Sequence, residues 1–132
     1  MSSLELNFLN QPIEISIMKD QLYLLKPGFV NAGMGPLYCS DSAPVEGVLS
    51  FFPQLRQLID IHYLEFPRPR EPLVKALGDQ YQSLPVLILA ANRKIKDAEL
   101  QPSEANGNWF FADQSSIRHY LSTQFDLPQA SE

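Results

Sequence analysis

Cysteine is almost missing from this chain. Cys39 stands alone among 132 residues, so no internal disulfide can form and the cytoplasm, a reducing compartment, is the expected setting. Histidine is nearly as scarce: with only His62 and His119 beside one cysteine, a structural zinc site lacks ligands and no metal is expected. Positive charge is in deficit too. Ten Lys and Arg against fifteen Asp and Glu leave a net charge of −5, and the basic residues gather into no stripe. That balance argues against nucleic acid and against an anionic membrane as partner. No apolar run approaches the roughly 20 residues that cross a bilayer. The opening MSSLELNFLNQ has neither a basic start nor an unbroken apolar core, so it does not read as a signal peptide.

What is present is ordinary globular material, 45% apolar and 19% charged, which excludes wholesale disorder and suits one domain with its own core. The first 17 residues alternate Leu4, Leu6, Phe8 and then Ile13, Ile15, Ile17 around Asn10-Gln11-Pro12. They read either as an added edge strand or as an N-terminal extension ahead of a start at Met18, and the extension is preferred because the compact pattern begins only at Gln21. Gln21 to Leu25 predicts a buried strand, stopped by Lys26-Pro27-Gly28. Phe29 to Leu37, punctuated by Gly33, Gly35 and Pro36, predicts a loop. Val45, Val48, Leu49 and Phe52 fall at i, i+3, i+4, i+7, so a helix is expected from about Ser42, with Ser42 as its N-cap and Pro44 in the first turn.

Ile59 to Phe66 predicts the next strand, followed by Pro67-Arg68-Pro69-Arg70 and a helix over Glu71 to Gln80. Leu84-Pro85-Val86-Leu87-Ile88-Leu89 reads as a strand buried on both faces, with Pro85 at its start, where a missing N–H is tolerated and a cis bond costs least. Asn92 to Asn108 predicts a long polar loop, Trp109 to Ala112 a short strand, and Asp113 to Phe125 a closing helix with Ile117, Tyr120, Leu121 and Gln124 on adjoining turns. Residues 126–132 read as a tail. The order β-α-β-α-β-β-α predicts an α/β fold whose four-stranded mixed sheet carries helices on both faces. The two crossovers suggest parallel pairing early, and the last strand an antiparallel edge.

Three motifs give this layout a resemblance. Tyr38-Cys39-Ser40-Asp41-Ser42 looks like a C-x-x-S variant of the glutaredoxin motif, and Ser83-Leu84-Pro85-Val86 like the cis-proline segment of glutaredoxins and glutathione transferase N-terminal domains. Asp113 to Leu121 is similar to the transferase helix that opens with an acidic residue and Ser and continues through Ile to Tyr-Leu. Over residues 18–125 the chain thus resembles the thioredoxin-like superfamily, closest to an uncharacterised bacterial family within it. The resemblance implies Cys39 as nucleophile, a cis bond at Pro85, and Leu84 offering its backbone N–H and C=O to glutathione as co-substrate, with no cofactor resident. It implies Lys26 or Arg68 facing the tripeptide's glycine carboxylate and Asp113 meeting its ammonium, with Tyr38, Ser42 and Gln114 completing the ligand-binding set.

The departures are equally informative. Ser42 stands where a resolving cysteine would be, Gln114 where transferases have Ser, and the all-helical second domain of transferases is missing. From the residues alone, Arg68 and Arg70 read as either a carboxylate clamp or two solvated charges in a Pro-rich loop. His62 reads as a packed or surface imidazole, and Trp109, Phe110 and Phe111 as core or edge aromatics. Three functions therefore stand: a single-cysteine, glutathione-dependent thiol–disulfide oxidoreductase or glutathione-binding protein, a non-enzymatic adaptor that binds a protein partner with Cys39 inert, and a redox sensor in which Cys39 pairs between subunits.

Overall fold

The computed structural model describes residues 19–131. The expected extension or edge strand over 1–17 lies outside the described residues. Five strands form one mixed sheet: β1 (Gln21–Leu25), β4 (Asp60–Leu64), β5 (Val86–Ile88), β6 (Ser103–Ala105) and β7 (Asn108–Phe111), in the order β4-β1-β5-β7-β6. β1 and β4 are parallel, and every other pair in that sheet is antiparallel. A separate two-stranded sheet joins β2 (Phe29–Asn31) and β3 (Met34–Leu37). The helices are α1 (Ser42–Phe51), α2 (Leu55–Leu58), α3 (Glu71–Leu77) and α4 (Gln114–Gln124).

The sheet has five strands rather than four. Ser103–Ala105, inside the expected polar loop, pairs with β7 and takes the edge that β7 was expected to form. Only the first crossover gives a parallel pair, because β5 runs antiparallel to β1. The stretch expected to be a loop, 29–37, is a hairpin. Asn31 and Met34 pair across Ala32 and Gly33, whose φ angles of 54° and 77° make the two-residue turn whose twist suits a hairpin. Gly35 is required by contact: a Cβ there would lie 2.7 Å from the Phe29 carbonyl oxygen.

Strand alternation sorts the core onto two faces. Leu22, Leu24, Leu87, Leu89 and Phe111 face Val45 and Leu49 of α1, Leu55 of α2, and Ile117, Tyr120 and Leu121 of α4. Val86, Ile88 and Phe110 face Leu73 and Leu77 of α3. Helices do cover both faces, and β5 is buried on each, as its continuous apolar run requires. Each such fully buried side chain stabilises the fold by roughly 1.5–3 kcal/mol.

The registers gather one set of termini at a single edge. Leu25 pairs with Leu64 at the carboxyl ends of β1 and β4. Extending the β1–β5 and β5–β7 registers puts Leu84 beside Leu25 and Pro85 beside Asp113. The start of α1 reaches the same edge. Carboxyl ends of parallel strands are where open α/β sheets present their crevices.

Candidate functional site

Cys39 follows the β2–β3 hairpin and precedes α1 by one turn. Its Sγ lies 4.0 Å from the Leu84 carbonyl oxygen, so the sulfur and the start of the central strand face each other. Leu84–Pro85 is a cis peptide bond, as expected, and so are Gly35–Pro36 and Arg68–Pro69. The sulfur also accepts a hydrogen bond from the Ser42 N–H at 3.3 Å, a donor from the first turn of α1 aimed at the atom that carries charge in thiol chemistry.

Ser42 is not the N-cap. Asp41 holds that position without a side-chain bond, while Ser42 is the first helical residue and is turned inward. Its Oγ accepts the Leu25 N–H at 3.2 Å, satisfying a buried donor at the end of β1. The displacement has a simple cause: the strand's last N–H is buried and needs an acceptor, whereas the helix start faces solvent.

Charged neighbours divide differently from the sequence reading. Arg68 is exposed, but Arg70 is not a solvated charge, being only 8% exposed. Its guanidinium donates to the carbonyls of Gln82 (2.7 Å), Phe66 (2.6 Å) and Glu65 (3.3 Å), and its backbone N–H donates to Gln82 Oε1 at 2.7 Å. Three neutral carbonyls hold it, with no carboxylate among these partners. Burial, and then Arg68, pull the guanidinium below its usual range, and Cys39 acts in the opposite sense. Arg70 thereby clasps the segment leading to Leu84. Lys26 donates to Glu65 Oε2 at 3.3 Å with both side chains largely exposed. Asp113 caps α4, accepting the Ser116 N–H at 2.8 Å, and Gln114 Oε1 accepts Arg118 Nε at 2.7 Å.

Cys39 also lines a pocket of about 380 Å³, together with Leu24, Leu25, Pro27, Tyr38, Ser42, Ala43, Glu46 and Tyr63. Glu46 Oε1 accepts from the Tyr63 hydroxyl at 2.7 Å and Oε2 from Arg56 Nη2 at 2.9 Å. Burial leads the forces that raise the Tyr63 phenol, so it stays a donor. Glu46 and Tyr63 were not anticipated, although a signal existed for Glu46: it lies one turn after Ser42, at i+4 on the helix that Cys39 precedes. The structure thus brings Tyr38, Cys39, Ser42, Leu84 and Pro85 together. Asp113 and Gln114 lie along the same sheet edge, while Lys26 turns to Glu65.

Among the described residues, no group of three or more His, Cys, Asp or Glu side chains is arranged to hold a metal ion, and no helix is long and apolar enough to cross a membrane. A protein-family model described as "Protein of unknown function (DUF3088)" matches residues 19–129. No curated protein and no solved structure matches the chain.

Proposed function

Since the chain belongs to the DUF3088 family of unknown function, its activity has to be read from the site, and we propose a thioredoxin-like, single-thiol oxidoreductase that uses glutathione. The observation that carries this reading is the 4.0 Å approach of Cys39 Sγ to the Leu84 carbonyl beside the cis Pro85. The sheet order with its single parallel pair, the helices on both faces and the thiol at the start of α1 support the same fold affiliation.

In the proposed reaction the Cys39 thiolate attacks the glutathionyl sulfur of a mixed disulfide. The old S–S bond breaks, the partner thiolate leaves and takes a proton, and a Cys39–glutathione disulfide forms. A second glutathione thiolate attacks this disulfide, releasing oxidised glutathione and restoring Cys39. Leu84 aligns the tripeptide through its backbone, Asp113 and Gln114 lie along the same edge for its far end, and Arg68 or Lys26 meets its glycine carboxylate. Ser42 in place of a resolving cysteine confines the chemistry to this one-thiol cycle. The test is reduction of hydroxyethyl disulfide coupled to glutathione, with Cys39→Ser as control. Loss of activity in the variant is expected, and equal rates for the two proteins would remove the reading.

A second reading, an adaptor with an inert thiol, is favoured by one observation. Val30, Met34 and Tyr38 are 61%, 67% and 70% exposed on or beside the hairpin that leads to Cys39, an apolar display of the sort partners cover. Absence of glutathione binding by calorimetry is the result this reading requires.

A further inference from the structure

The geometry points to a second binding site at the same thiol: the pocket between α1 and the ends of β1 and β4 takes the neutral, apolar group of a disulfide or thiosulfonate substrate. This rests on the reading of Cys39 as a nucleophile, and it adds the chemical class of the substrate.

The pocket is separate from the wall assigned to the tripeptide. None of Leu84, Pro85, Asp113 or Gln114 lines it, so the sulfur borders two distinct surfaces. Attack on a disulfide is in line, with the leaving sulfur across the attacked sulfur from Cys39, so its two substituents need separate surfaces within reach of the thiol, the Leu84 wall for one and this pocket for the other. The lining fixes the class. Leu24, Leu25, Pro27 and Ala43 are apolar, and Tyr38 and Tyr63 add ring faces. Glu46 offers no spare charge, because each of its oxygens is already met, one by Tyr63 and one by Arg56. A cationic group finds no open counter-ion here, and an anionic one finds no Lys or Arg in the lining. At about 380 Å³ the space lies at the small end of the roughly 300–1,000 Å³ typical of ligand sites, room for a ring-sized group.

An independent feature borders the same space. Ser42 is only 5% exposed and lines the pocket. Its Oγ accepts from Leu25, yet among the described residues nothing accepts the hydroxyl proton. Buried hydroxyls ordinarily donate as well as accept, which leaves this one a donor to offer beside the pocket.

The experiment labels Cys39 with benzyl and with methyl methanethiosulfonate and follows both by intact mass. Each reaction joins the reagent's sulfenyl sulfur to Cys39 and releases methanesulfinate, so no glutathione and no turnover are involved. The readout is the benzyl-to-methyl rate ratio divided by the same ratio for free cysteine. A pocket that receives the ring raises it about tenfold or more, the discrimination apolar pockets give. Ala43→Phe, at an exposed position of the lining, brings the ratio back to that of free cysteine, and Tyr38→Ala lowers it by removing a wall. A wild-type ratio equal to that of free cysteine overturns the pocket assignment, even if the protein reduces hydroxyethyl disulfide. A raised ratio that Ala43→Phe abolishes, in a protein with no glutathione-coupled reduction, upholds the pocket and ends the glutathione reading alone.

Discussion

At the scale of single residues, Ser42 carries more than its sequence position suggests. It is the first residue of α1, its N–H reaches the Cys39 sulfur, and its Oγ is the acceptor for the last N–H of β1. Ser42→Ala keeps the helix residue and its N–H but leaves the buried Leu25 N–H without a partner. The expected cost is about 1–3 kcal/mol, since an orphaned buried donor loses its water and gains nothing. Urea unfolding measures it, and a change below about 0.5 kcal/mol would mean that water reaches Leu25. The sequence marks Ser42 as special but for the wrong reason, because capping preference is a local rule and the Leu25 N–H comes from 17 residues upstream. Arg70 is a harder case. Nothing local distinguishes it from Arg68, and its burial depends on three carbonyls, two from Glu65 and Phe66 and one from Gln82 across the α3 helix.

At the scale of elements, the hairpin β2–β3 decides where Cys39 sits. Gly28 N–H donates to the Leu37 carbonyl at 2.7 Å, closing the hairpin base, and Phe29 stacks on Phe66 with centroids 4.6 Å apart, pinning it beside the end of β4. Its turn holds Ala32 at φ 54°, a left-handed conformation that costs a residue with a Cβ about 1–2 kcal/mol. Asn tolerates that region and pairs with a following Gly in the preferred hairpin turn. Ala32→Asn is therefore expected to stabilise the protein by up to about 1 kcal/mol, read as a rise in the urea midpoint with the slope unchanged. A fall in the midpoint would show that the turn is not the two-residue type. The long apolar elements were legible because periodicity reports them directly: α1, β5 and α4 lie close to their expected positions. The hairpin was not. Glycine and proline mark it as irregular, its strands are short and exposed, and its pairing is set by Ala32–Gly33 and the close approach at Gly35. Ser103–Ala105 escaped for the same reason, an edge strand of polar and small residues without alternation to report it.

For the whole molecule, the two ends of the sheet divide the work. Cys39, Ser42 and Leu84 gather where β1 and β4 finish, while the opposite end is held by a buried polar staple. Asp20 is fully buried ahead of β1. Its carboxylate accepts the Ala90 N–H at 2.8 Å, Arg93 Nε at 3.1 Å and the hydroxyl of Tyr120, and its carbonyl accepts the Asp60 N–H at 3.0 Å. Residues from the segment after β5 and from α4 thus converge on the Asp20 carboxylate while β4 meets its backbone carbonyl, which ties the sheet to the face that α1 and α4 cover. Burial, followed by the charge and hydrogen bond of Asp20, pushes the Tyr120 phenol well above its usual range, so it is a donor at every working pH. Tyr120→Phe keeps the ring, which packs against Phe111 at 5.5 Å, and removes only the hydroxyl. A charge-assisted bond lost inside the protein costs about 1.5–3 kcal/mol. Urea unfolding is expected to show that loss, while the Cys39 labelling ratio stays within about twofold of wild type, because the Tyr120 ring is kept in the core and none of Asp20, Ala90, Arg93 or Tyr120 lines the pocket. Loss of stability together with a collapsed ratio would mean that the two ends are coupled through β1, and that the thiol's surroundings depend on how tightly the far end of the sheet is held.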